Sequence, residues 1–163
     1  MRRAHAASTL AEMDVNAPLH GIAGLAEVIQ LAVAPVFLLA GVGATLNVLA
    51  TRIGRIIDRA RVMEEQLEAA SSAAALDLHA RLAVLSRRAA LISRAIGLCV
   101  ICGLLVSLVV AGLFVGSALR IDLAIPIAVA FVVALLSLAT AMVFFLREVF
   151  IATEALTFGK RAK

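Results

Sequence analysis

Charge is missing from three long stretches of this chain. Residues 28–51, 95–119 and 123–146 contain no Asp, Glu, Lys or Arg. At about 1.5 Å of rise per residue, each is long enough as a helix to cross a hydrocarbon layer of about 30 Å. With 63% hydrophobic residues and a mean hydropathy of +1.07, the chain has more apolar surface than one soluble core can bury. Membrane-spanning strands are excluded as well, because no ten-residue alternation of polar and apolar residues occurs and open strands leave backbone groups unpaired in lipid. The expected fold is all-α, with three transmembrane helices.

The same absence excludes several chemistries. A secondary transporter or proton pump holds its coupled ion on an ionisable group near the bilayer midplane, and none is present. Among the polar side chains inside the stretches are Asn47, Ser107, Ser137 and Thr140, for which hydrogen bonding between helices is the expected role. Cysteine is scarce: Cys99 and Cys102, both in the second stretch, exclude a disulfide framework. Their C-x-x-C spacing lies inside a membrane helix with no second pair or histidine nearby, so they read as small buried hydrophobic residues. The three histidines, His5, His20 and His79, share no site. No catalytic residue, metal site or cofactor is expected. Residues 1–21 have no apolar core of a signal peptide, so the first span is expected to act as its own insertion signal, without a lipidated terminal cysteine.

What is present is arginine, and its placement carries information. Eight arginines lie between the first two stretches (Arg52, Arg55, Arg59, Arg61, Arg81, Arg87, Arg88, Arg94), and Arg147, Lys160, Arg161 and Lys163 follow the third. Only Arg2, Arg3 and Arg120 fall on the other side. By the positive-inside rule the middle segment and C-terminus are cytoplasmic and the N-terminus lies outside. A basic total of this kind in a soluble protein would suggest nucleic acid; this placement does not.

Between the first two spans the apolar residues recur in steps of three and four. Leu46, Leu49, Ile53, Ile56, Ala60, Met63, Leu67 and Ala70 form one seam, and Leu78, Leu82, Leu85, Ala89, Ile92, Ile96 and Cys99 form another. Residues 69–75 are the small-residue break between them. The pattern predicts a cytoplasmic antiparallel coiled-coil hairpin whose arms continue the first and second spans. The expected organisation is a mobile N-terminal segment (1–21), helix 1 (22–51), hairpin (52–94), helix 2 (95–119), helix 3 (123–146) and a cytoplasmic tail (147–163).

The seam sorts the hairpin charges. Arg52, Arg59, Arg81 and Arg88 fall along one contact flank, where four like charges need an acidic cover. Anionic lipid headgroups, Glu148 or Glu154 from the C-terminal segment, or the acidic face of a second copy can supply it. Glu64 faces Arg81 in this register. Arg55, Asp58 and Arg61 form an outward triplet expected to pair locally. In helix 1, Pro35 removes a backbone hydrogen bond and predicts a kink, while Gly41 and Gly43 admit close approach of another helix near Asn47. Asp122 is an N-cap for helix 3, with Pro126 in the first turn.

Four stretches resemble a known family. They are Ala34-Pro35-Val-Phe-Leu-Leu-Ala before Leu46-Asn-Val-Leu, then Arg52-Ile-Gly-Arg-Ile-Ile-Asp58-Arg59-Ala-Arg61, Arg88-Ala-Ala-Leu-Ile-Ser-Arg94-Ala-Ile-Gly, and Phe145-Leu-Arg-Glu148-Val-Phe. The resemblance is to the bacterial domain of unknown function 2721 family. It implies a multi-span protein of the bacterial inner membrane and carries no catalytic or ligand residue.

The functional expectation is a non-enzymatic homo-oligomer that uses its hairpin as a scaffold or as a dock for an acidic protein partner, in contact with membrane lipids. The alternative is an oligomeric ion channel, helix 1 lining the pore and Arg52, Arg55, Asp58 and Glu148 ringing its mouth.

Overall fold

In the computed structural model, which describes residues 17–68 and 70–158 and the side chains of 26–68, 70–72 and 74–153, the chain forms three helices. They are α1 (Ala17–Glu68), α2 (Ser72–Leu119) and α3 (Ala124–Phe158), and the described residues contain no strand. All three are long and apolar enough to cross a membrane. At about 1.5 Å per residue, α1 spans about 78 Å and α2 about 72 Å, more than twice an apolar layer of about 30 Å. Each therefore extends well beyond its charge-free stretch.

α1 begins at Ala17, within the N-terminal segment 1–21. The helix continues through Pro35, which is buried. The connection to α2 is shorter than the expected break: α2 starts at Ser72, preceded by Ser71 in an extended conformation. Residues 73–75 are all alanine, the strongest helix former, and join the helix rather than the turn. The short link makes α1 and α2 antiparallel neighbours.

The α2–α3 connection is built from specific groups. Arg120 ends α2 in the left-handed conformation (φ 54°, ψ 38°), and the N–H of Ile121 donates to the Gly116 carbonyl at 3.1 Å. An added Cβ at Gly116 would stand 3.3 Å from the Ile121 carbonyl oxygen, so the turn closes over this glycine. The Asp122 carboxylate then accepts the Ala124 N–H at 3.0 Å, the capping expected of it.

α2 occupies the centre. It packs along both α1 and α3, which meet each other far less. Its burial shows why: Leu85, Ile92, Cys99 and Val106 recur every seven residues, and so do Ala95, Cys102 and Val109. The two stripes serve two neighbours. α1 has one stripe (Pro35, Val42, Leu49, Ile56), as does α3 (Ala134, Ala141, Glu148). Both cysteines lie in the core.

One packing expectation fails. Ser107, Ser137 and Thr140 donate to the carbonyls of Gly103, Val133 and Leu136, four residues back in their own helices, not to a neighbouring helix. In apolar surroundings that carbonyl is the closest acceptor within reach. Gly41 and Gly43 meet no described residue within 4 Å of a built Cβ, so this face of α1 is left open within the chain.

Candidate functional site

The heptad stripe of α3 delivers its surprise at its end. Ile127, Ala134 and Ala141 are followed seven residues later by Glu148, whose exposure is 0%. The position lies two residues beyond the last charge-free stretch, so the register that buries alanine against α2 here buries a carboxylate. Burying one is expensive unless opposite charges and hydrogen bonds meet it.

Both arrive. From α1, Arg52 Nη1 donates to Glu148 Oε2 at 2.6 Å. From α2, Arg88 donates through Nε at 3.1 Å and Nη2 at 2.7 Å, both to Oε1. Each carboxylate oxygen is thus occupied, and no buried side-chain polar atom among the described residues lacks a partner. The Arg52 guanidinium also lies over the Phe145 ring, 5.2 Å from its centroid, a cation–π contact one turn before Glu148. One side chain from each helix meets at a single point, and this cluster joins α1 to α3.

The two arginines differ in exposure, 15% for the Arg88 side chain and 37% for Arg52. Arg88 is the inner partner, with two bonds; Arg52 faces a cleft. That cleft, about 180 Å³, is lined by Arg52, Arg55, Arg59, Arg88 and Glu148. Four guanidinium groups against one carboxylate leave it positive, although its acid is already engaged.

The structure divides the expected flank. Arg52 and Arg88 share Glu148, the acidic cover that the C-terminal segment was expected to offer, and the Glu154 side chain lies outside the described residues. Arg59 is exposed beside the cleft. Arg81 stands apart: it pairs with Asp77 at 2.9 Å, one turn away on α2, instead of with Glu64 across the hairpin. The i,i+4 partner wins because it needs no long side chain to span two helices. Arg55, Asp58 and Arg61 point outward as expected, but Asp58 makes no ion pair among the described residues. Exposure to water weakens the incentive to pair. Asn47 is exposed, and its backbone carbonyl accepts the Thr51 hydroxyl.

Sequence reasoning missed Phe145, for which no charge pattern gives a signal, and the seven-residue register that makes Glu148 the single cover. That register was present in Ile127, Ala134, Ala141 and Glu148. It also missed Arg87 and Arg147, which line a second cleft with Leu91, Phe150 and Ile151.

The family described as Protein of unknown function (DUF2721) matches residues 32–158 of the chain. The chain belongs to that family. The DUF2721 match holds all three members of the cluster and ends with α3 at Phe158. No curated protein and no solved structure was found to match the chain.

Proposed function

We propose that this DUF2721 protein is a non-enzymatic scaffold of a bacterial inner membrane that works as a homo-oligomer through a cytoplasmic coiled-coil hairpin. In this reading the N-terminus lies outside, and the arms are the parts of α1 and α2 beyond their charge-free stretches. The observation that supports it most is an apolar groove on those arms. A groove of about 390 Å³ is lined by Ile56, Ile57, Ala60, Leu82, Leu85 and Ala89 among others, with Glu64 and His79 at its outer end, and within it Ile57 is 43% exposed. Lipid covers exposed apolar residues within the spans, and the outer part of this groove, toward Ala60 and Leu82, lies beyond the charge-free stretches. Two helices cannot enclose their own seam, whereas two hairpins side by side can, and a two-fold axis normal to the membrane places like grooves together.

The test is the oligomeric state of the full chain in mild detergent and in nanodiscs, by native mass spectrometry. Oligomers are expected, and Ile57→Glu with Ala83→Glu should convert them to monomers without loss of helicity. Monomer alone in both media would refute the reading. The non-enzymatic part rests on the sequence, which gathers no titratable groups at one site. The channel alternative loses one member of its ring, since Glu148 is enclosed by arginines. Saturable ion flux from loaded proteoliposomes, abolished by substitutions on helix 1, is the result that would favour it.

A further inference from the structure

We propose that the cleft between α2 and α3 at Arg87 and Arg147 is a binding site for an anionic glycerophospholipid, taken up by its phosphodiester headgroup. The cleft is about 300 Å³ and is lined by Arg87, Leu91, Arg147, Phe150 and Ile151. Both guanidinium groups are exposed, and neither makes an ion pair or side-chain hydrogen bond among the described residues. Among the described residues its lining contains no carboxylate, unlike the cleft on the α1 side, where Glu148 already occupies Arg52 and Arg88. Two like charges facing one opening without an acid are stabilised by a mobile anion.

The level and the walls identify the class of anion. Arg147 is the first charged residue after the third charge-free stretch, so it lies where apolar layer gives way to headgroups. On the same face of α3, Val143 one turn before and Phe150 one turn after are exposed, Phe150 at 60%. Leu91 and Ile151 complete an apolar wall. A soluble phosphate gains nothing from that wall, while the glycerol and first acyl carbons of a lipid bury against it. Two uncompensated positive charges favour a headgroup without an amine, phosphatidylglycerol over phosphatidylcholine.

The buried cluster sets the spacing. Arg87 precedes Arg88 and Arg147 precedes Glu148, and a step of one residue turns the side chain about 100° around the helix. The Arg88–Glu148 bridge thus fixes the distance between α2 and α3 at the level where their neighbours open toward lipid. A site held open in advance loses less on binding. This inference is independent of hairpin self-association.

Native mass spectrometry of the full chain, titrated with phosphatidylglycerol or phosphatidylcholine in mild detergent, tests it. Affinity for phosphatidylglycerol should fall about fivefold for Arg87→Gln or Arg147→Gln and about 25-fold for both, while phosphatidylcholine binding is unchanged. Arg87→Lys with Arg147→Lys should recover most of the loss, and Phe150→Ala should weaken lipid binding too. The Arg55→Gln, Arg59→Gln variant serves as the control for unspecific charge and should lose less than the Arg87, Arg147 pair. Equal binding of the two lipids, or unchanged phosphatidylglycerol affinity in the double variant of unaltered thermal stability, overturns the site. Inorganic phosphate at millimolar concentration that binds alone and displaces the lipid completely, with Phe150→Ala silent, overturns the lipid and assigns a soluble phosphate.

Discussion

Arg88 and Glu148 are closed in the core of the three helices, and their immediate neighbours Arg87 and Arg147 stand open at its edge. The contrast isolates what decides the fate of a charge in this protein. Residue type is the same for Arg87 and Arg88; helical phase is not. Arg88 continues the stripe of Ala95, Cys102 and Val109 backward by seven, so it must face α3, whereas Arg87 is turned about 100° away. The enclosed pair finds its counter-charge within the chain. The open pair has none among the described residues, and in the proposed site an anionic lipid supplies it.

Breaking the enclosed side should have the largest effect. Glu148→Ala leaves two arginines without their acid, one nearly buried, and is expected to destabilise the folded chain by about 3 kcal/mol, read from thermal or denaturant unfolding in detergent. Loss of the α1–α3 contact should accompany it, seen as increased proteolysis near Arg52. A change below about 1 kcal/mol would mean that stripe packing, not the cluster, holds the helices.

Next comes the asymmetry between the two arginines. Arg88→Gln removes two charge-assisted bonds in a nearly closed environment and should lower stability by about 2 kcal/mol. Arg52→Gln should lower it by about 1 kcal/mol, because solvent screens a side chain that is more than a third exposed. Equal losses would show that exposure does not discount the outer bond. A double-mutant cycle between Arg88 and Glu148 should give a coupling of roughly 1–3 kcal/mol.

A smaller effect of opposite sign is expected at the α2–α3 turn. Arg120 is the one described non-glycine residue with positive φ, and Arg120→Gly should stabilise by roughly 0.5–1 kcal/mol by relieving the contact of Cβ with the backbone. No gain in melting temperature would mean that the Arg120 side chain contributes something the turn geometry does not reveal.

Smallest of all are the exposed charges. Asp77→Asn and the Arg87→Gln, Arg147→Gln pair should each change stability by less than about 0.5 kcal/mol in lipid-free detergent. For the open pair the effect should appear only when phosphatidylglycerol is added, as loss of the lipid-dependent rise in melting temperature. That would complete the comparison: one pair serves folding, and the other serves a ligand.

Much of the architecture was legible from residue order because both the lipid solvent and the helical period act locally. A run of apolar residues reports a span whatever it packs against, and steps of three and four report a buried stripe. The seam residues from Leu46 to Leu67 and from Leu78 to Cys99 are buried or half-buried with that period. Local rules also misled. The seam register sets Arg81 opposite Glu64 although Asp77 stands one turn away, and hydroxyls inside a span suggest bonds to other helices although their own carbonyls are nearer.

The sequence by itself determined the number of spans, the continuity of α1 and α2 from apolar to charged, the arginine-rich segment between them, and the family pattern from Ala34 to Phe150. Each follows from composition and period within one segment. Only the tertiary structure decided which acid answers which arginine. Arg52, Arg88 and Glu148 lie far apart in the chain, and their meeting depends on the relative rotation of three helices. A rotation of one residue would have exposed Glu148 and turned Arg147 inward, with every segment still reading as the same amphipathic or apolar helix.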